Sequence, residues 1–248
     1  MDILAKHCRN VHTPSFEALT ILYAMSDIHG CLQSFDEALE LVDLSCNNKL
    51  VLCGDYIHGG QDNYGVLDRI MELERKYGSD KIIVLAGNHE DMACDGRWPI
   101  GEDRFFGSGV DEDDYDDKYI SWMQNLRRYY VEGNTIFVHA GIDEEAEEMW
   151  EWGTDEYTLT EKFPAQLGKF CCGKDDMKIV AGHVGTAVIA QDRTFHDIYF
   201  DGESHYYIDG TVLDSGIIPV IKVDTEKKKY YRVTETGDWL ILPYDEDT

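Results

Sequence analysis

The chain is predicted to be an α/β domain. Continuous apolar runs of strand length recur along it, and between them lie segments whose apolar residues fall at the three- and four-residue spacing of a helix. Each run also stops abruptly at a polar, glycine-containing turn. Strands that are apolar throughout, rather than alternating, are expected to be covered on both faces, as in sheets layered with helices.

The elements follow in order. Residues 1–19 carry no period and read as an N-terminal extension, leaving 20–248 as a single domain. Thr20-Ile21-Leu22-Tyr23-Ala24-Met25 reads as a first strand, and Leu32, Phe35, Leu39 and Val42 mark a helix after it. Lys49-Leu50-Val51-Leu52-Cys53 is a second strand, followed by a helix through Val66, Leu67, Ile70 and Leu73, and Lys81-Ile82-Ile83-Val84-Leu85 is a third. Residues 96–130 read as a cap or surface insertion: the acidic run Asp111–Asp117 is expected to be a solvated loop rather than a cation site, with a helix over Tyr119–Tyr130. Two further strands end at His139 and His183. From Tyr206 to Leu242 apolar and polar residues alternate, as in antiparallel strands, with a turn at Asp224-Thr225-Glu226-Lys227.

Charge narrows the possible partners. Of 248 residues, 22 are Lys or Arg and 49 are Asp or Glu, a formal charge of −27. Such a surface repels duplex nucleic acid and anionic membrane. It leaves room for small phosphorylated ligands, because a bound cation inverts the field of a pocket. No stretch approaches the ~20 apolar residues that span a bilayer, and the first residues lack the apolar core of a secretory signal. Seven cysteines with no Cys-x-x-Cys spacing read as reduced thiols, so a cytoplasmic location is expected.

The chemistry lies at the strand ends. Five strands stop at metal-capable side chains: Asp27 and His29, Asp55, Asn88 and His89, His139, and His183. In α/β folds ligands gather at the carboxyl ends of strands. Oxygen donors mixed with imidazoles suit Mn²⁺, Fe or Zn better than Ca²⁺. Each fragment alone is weak, since a lone strand-end histidine is more often structural; the ordered set carries the inference.

In these blocks the chain resembles the calcineurin-like metallophosphoesterases. Ser26-Asp27-Ile28-His29-Gly30, Gly54-Asp55-Tyr56-Ile57-His58-Gly59-Gly60, Gly87-Asn88-His89-Glu90, His139-Ala140-Gly141 and Gly182-His183 match the family's five blocks in order. They are most similar to the branch of the Ser/Thr phosphoprotein phosphatases and the symmetrical diadenosine tetraphosphatases. The resemblance implies a four-layer α-β-β-α sandwich with two mixed sheets and a dinuclear metal site at the strand ends. It implies that Asp27 and His29 hold one divalent ion, that Asp55 bridges both, that Asn88, His139 and His183 hold the second, and that His89 protonates the leaving oxygen. Two such cations would activate a water and neutralise the phosphoryl oxygens. The implied function is metal-dependent phosphoester hydrolysis of the Ser/Thr protein phosphatase type, on a phosphorylated small molecule or phosphopeptide. The alternatives are a phosphodiesterase, a dinucleotide polyphosphate hydrolase, or a non-catalytic phosphate-binding scaffold.

Departures from the branch pattern are concentrated where it grips phosphate. Its second block ends Asp-Arg-Gly, where this chain has His58-Gly59-Gly60; Ala86 and Thr154 stand where further arginines are common. His58, Arg97, Arg104 and Arg193 are the candidates to replace them. His58 reads either as a catalytic-site imidazole or as a solvated loop residue. Glu90 and Asp91 are expected to face the positive end of a helix dipole. Trp150 and Trp152 are expected to pack a helix, and Tyr206, Tyr207, Tyr230 and Tyr231 to be sheet residues.

Overall fold

The computed structural model describes residues 20–101, 117–172 and 176–245. The 1–19 extension, the acidic run before Asp117, and Arg104 lie outside the described residues.

Two sheets form the centre. Strands β1 (Ile21–Met25), β2 (Lys49–Leu52) and β3 (Ile82–Val84) pair in parallel. β4 (Tyr129–Glu132), β5 (Thr135–Val138), β6 (Lys178–Ala181), β7 (Tyr199–Phe200) and β8 (His205–Tyr207) build a second sheet in the order β4-β5-β6-β8-β7, its three central strands parallel. β9 (Ile221–Asp224), β10 (Lys229–Thr234) and β11 (Gly237–Leu240) return antiparallel to the first sheet, giving β11-β10-β9-β1-β2-β3.

The layering follows from side-chain parity, because successive strand residues point to opposite faces. Leu22, Ala24 and Val51 of the first sheet meet Phe137, Val180 and Tyr206 of the second in an inter-sheet core. The intervening Tyr23, Met25, Leu50 and Leu52 face outward onto Phe35 of α1 (Leu32–Leu39) and Val66, Leu67 and Ile70 of α2 (Asn63–Tyr77). On the other side Ile136, Val138 and Ile179 pack against Trp150, Leu159 and Phe170. The four-layer mixed sandwich is therefore the observed architecture, and each central strand is apolar throughout because both its faces are buried.

Three local expectations change. The helix expected over Tyr119–Tyr130 ends early: α4 covers Asp117–Met123, after α3 (Asn88–Cys94), and Tyr129-Tyr130-Val131-Glu132 is β4 instead. Aromatic and β-branched residues favour a pleated, half-buried surface, and β4 pairs antiparallel with β5. Within the 96–130 stretch, Tyr119 and Met123 are buried in the outer core. The alternating tail is split: His205–Tyr207 runs parallel to β6, whereas β9–β11 belong to the other sheet. Trp150 is core, but Trp152 is 85% exposed. The sheet reading of the tail tyrosines holds, and Tyr206 stacks on Tyr230 across the two sheets at 4.3 Å between ring centroids.

Candidate metal centre

The carboxyl ends of β1, β2, β3, β5 and β6 converge, and the strand-end side chains meet there. Asp27 Oδ1 lies 3.8 Å from His29 Nε2, and Asp55 Oδ2 lies 3.9 Å from His29 Nε2, 3.8 Å from His89 Nε2 and 3.4 Å from His139 Nε2. Asn88 Oδ1 sits between His139 Nε2 at 3.0 Å and His183 Nδ1 at 3.1 Å. Two donor groups result, His29-Asp55-His89 and Asp55-His139-His183, with Asp55 common to both. The chain thus brings together all six residues expected to hold metal, and it places His89 within the first group.

The loops must approach closely for this. A Cβ at Gly182 would lie 2.1 Å from Asp27 Oδ2, and one at Gly87 2.2 Å from Asp55 Oδ1. Asp27, His29, Asp55, His58 and His183 all adopt φ between 49° and 71°, a left-handed conformation that costs L-residues about 1–2 kcal/mol each. They are half of the described non-glycine residues with positive φ; such clustering is typical of functional sites.

Backbone carbonyls orient the imidazoles. A carbonyl only accepts, so the ring nitrogen facing it carries hydrogen. His139 Nδ1 donates to the Cys53 carbonyl at 2.8 Å and His29 Nδ1 to that of His58 at 3.0 Å, leaving each Nε2 directed inward. His183 is held by the Glu161 backbone while its Nδ1 faces Asn88. Such outer partners fix tautomer and ring orientation at metal sites.

Glu90 stands in the first turn of α3, as expected, and accepts from the N–H of the N-cap residue Gly87. It is buried, and its carboxylate accepts from the backbone N–H groups of Asp55 and Gly87 at 2.8 and 2.9 Å and of Tyr56 at 2.9 Å, joining the β2 and β3 loops. The three acceptor contacts add to the preference of a first-turn acid for the positive end of the helix dipole. Asp91 instead pairs with Arg128 at 2.7 Å.

His58 is 1% exposed, which removes the solvated-loop reading. Its ring stacks on Trp98 at 4.2 Å and 6°, its Nε2 donates to the Pro99 carbonyl at 3.3 Å, and its Nδ1 lies 3.0 Å from His89 Nδ1. Because Nε2 carries the hydrogen, neutral His58 accepts at Nδ1, so His89 donates its Nδ1–H and leaves its Nε2 toward Asp55. The arginines are less engaged: Arg97 is exposed and pairs with Asp95 at 3.2 Å, and Arg193 is exposed in the turn after Gln191. Thr154 Oγ1 accepts from the Asp143 N–H and donates to the Trp150 carbonyl.

One site residue escaped the sequence reading. Asp209 is buried just beyond β8, at the same end of the second sheet. The same grammar, an apolar run followed by acid and glycine (Tyr207-Ile208-Asp209-Gly210), marks it in the sequence.

The donor set fits a divalent cation. Asp27, Asp55 and Asp209 are buried, and none pairs with a lysine or arginine among the described residues. Buried carboxylates need a compensating charge. Burial, reinforced by Asp55 and opposed by His139, pushes Asp27 up to about 7. Burial also opposes charge on His139, but neighbouring Asp55 outweighs it and raises His139 to about 10. For Asp55 burial alone acts upward, yet His139 holds it well below the usual carboxylate range.

The signs fix a pH dependence. Asp27 is raised above its unfolded value of about 3.9, so the folded metal-free chain holds a proton that the unfolded chain releases. Its stability falls as pH climbs from about 4 to about 7. The His139 contribution is fully present below about 6.5 and is lost as pH rises through about 10. A cation takes over from the Asp27 proton, so Mn²⁺ should raise Tm more at pH 8 than at pH 6. Calorimetry with Mn²⁺ or EDTA checks this, and equal rises at both pH values would contradict it.

The sequence profile of the calcineurin-like phosphoesterases matches residues 22–220. Among characterised proteins, the chain is 30% identical over 125 residues to the symmetrical bis(5'-nucleosyl)-tetraphosphatase of Nitrosospira multiformis, covering 49% of this chain and 43% of that one. It is 38% identical over 69 residues to the same enzyme of Wigglesworthia glossinidia brevipalpis, covering 27% and 24%. The chain thus spans less than half the length of these relatives. Among solved structures, a cold-active protein-tyrosine phosphatase of a psychrophilic Shewanella species superposes with a TM-score of 0.63 at 14% identity, over 90% of this chain and 81% of that one. A protein serine/threonine phosphatase of Saccharomyces cerevisiae superposes with a TM-score of 0.54 at 14% identity, over 92% and 81%. At such identity the likeness is one of fold. The profile match runs from β1 past Asp209 and takes in every strand-end donor described above, and the chain belongs to the calcineurin-like phosphoesterase family.

Proposed function

We propose that the protein is a metal-dependent phosphoester hydrolase of the phosphatase type, with one catalytic unit over 20–248. The observation that carries this reading is the convergence of strand-end donors into two groups that share Asp55, His29-Asp55-His89 and Asp55-His139-His183, with Asp27 beside His29 and Asn88 between His139 and His183. Mn, Fe or Zn fits the donor set. When bound, two divalent ions supply an activated water and charge neutralisation at phosphorus. The chain's own groups do the rest. His89, held at Nδ1 by His58, would deliver a proton from Nε2 to the leaving oxygen when in its imidazolium form, and would return to the neutral Nδ1–H tautomer. Glu90 keeps the β2 and β3 loops in fixed relation, and the carbonyls of Cys53 and His58 hold two of the imidazoles.

His58 acts here as a positioning residue. His58→Ala should lower turnover about 10–100-fold, the usual effect of losing an outer-shell partner, with metal content little changed. His58→Asn keeps an acceptor and should recover part of the loss. Turnover of His58→Ala equal to that of the parent would remove His58 from the site.

The names of the relatives support a second reading, hydrolysis of dinucleoside tetraphosphates. Metal-free protein reconstituted with Mn²⁺ would be compared on p-nitrophenyl phosphate, bis-p-nitrophenyl phosphate, a phosphopeptide and diadenosine tetraphosphate. Turnover of monoesters alone supports the phosphatase reading, and preference for the tetraphosphate or diester supports the alternatives. Metal binding without turnover points to a scaffold. Arg97, Arg104 and Arg193 remain the proposed phosphate contacts. Among the described residues six cysteines are free, which supports a reducing, cytoplasmic setting; no described helix is long and apolar enough to cross a membrane.

A further inference from the structure

We propose that Asp209 is a further carboxylate of the cation site, acting on the Asp27 side as a ligand or a direct countercharge. The proposal rests on the metal-dependent reading above. Its first support is topological. β8 runs parallel to β6 with Tyr207 opposite Ala181, and the Ile208 N–H donates to the Ala181 carbonyl at 2.8 Å. The chain therefore leaves the sheet level with the Gly182-His183 turn, as it does at the other strand ends that carry donors. The position is fixed from the backbone side, since the Asp209 carbonyl accepts from Thr186 N–H at 2.9 Å and Thr186 Oγ1 at 3.1 Å.

The side chain supplies the second support. Asp209 is 7% exposed. Oδ1 accepts from Thr211 N–H at 2.7 Å, whereas Oδ2 accepts no hydrogen bond among the described residues. A Cβ at Gly185, two residues past His183, would stand 3.7 Å from that same Oδ2. The carboxylate therefore lies alongside the loop that carries His183. After burial itself, the charges acting on Asp209 are those of the site: Asp27 first, then His29 and Asp55.

A turn-capping role explains one oxygen only. Capping Thr211 needs a single acceptor, which asparagine supplies equally well. It does not explain why an ionisable group is buried beside two other carboxylates with no lysine or arginine partner, a costly arrangement unless a cation compensates it.

Asp209→Asn separates the two roles, because it keeps the cap and removes the charge. Metal-free protein would be titrated with Mn²⁺, following bound and free ion by electron paramagnetic resonance, with circular dichroism to verify the fold. The parent should bind two ions, and Asp209→Asn should weaken one of them at least about tenfold, in the range seen when a metal site loses a supporting group, leaving the other unchanged. Should the asparagine variant fail to fold, Asp209→Ser, which retains an acceptor for Thr211, carries the same expectation. Superimposable isotherms for parent and variant overturn the assignment while leaving the hydrolase reading intact. A parent that binds no Mn²⁺ overturns both.

Discussion

Asp55→Asn should lower turnover about a thousandfold or more, the equivalent of several kcal/mol of transition-state stabilisation. Asp55 is the one side chain shared by both donor groups, and it faces His29, His89 and His139 at once. Asparagine can still accept from the His89 backbone N–H that now donates to Asp55 Oδ1 at 3.0 Å, so the loop geometry should persist while the charge is lost. The substitution therefore tests charge rather than folding. The measurement is kcat on p-nitrophenyl phosphate with Mn²⁺ in excess, alongside metal content. Activity near that of the parent would refute the shared-carboxylate mechanism.

Replacing His89 should produce the second-largest effect, and its size should depend on the substrate. General acid catalysis contributes about 10²–10⁴-fold, in proportion to how basic the leaving oxygen is. His89→Asn should be close to the parent on p-nitrophenyl phosphate, whose leaving group departs as a stable anion. On phenyl phosphate and on alkyl phosphates it should fall toward the lower end of that range or beyond. A loss of equal size on all of these substrates would show that His89 does something other than deliver a proton. Burial pushes His89 down to about 4 in the metal-free chain, with Asp55 acting the other way.

Much of this site was legible before the fold was. Asp27, His29, Asp55, Asn88, His139 and His183 each lie just after an apolar run and within three residues of a glycine, a local signal that survives in one dimension. Asp209 has the same signal but hides in a tail whose alternating tyrosines suggest one antiparallel sheet; the three-residue β8 instead joins the parallel centre of the other. Glu90 was legible as a first-turn acid, but its clasp on the β2 and β3 loops was not, because the contacts with Asp55 and Tyr56 lie about 35 residues away in sequence. His58 was ambiguous for the same reason: its role depends on Trp98 and Pro99, about forty residues away. The boundary between α4 and β4 was lost because Tyr129 and Tyr130 suit either periodicity until the β5 pairing decides.

The left-handed backbone at Asp27, His29, Asp55, His58 and His183 bears on how this protein would answer selection for heat resistance. Each of these residues holds a conformation that glycine would adopt without strain. A screen that rewards thermal survival alone would find relief at these five positions, and every such gain would delete a donor or its support. Variants that keep the chemistry must find their stability elsewhere, in the helices and the outer cores. The active centre is thus the part of the molecule least free to relax, and it should be the slowest to change under that pressure.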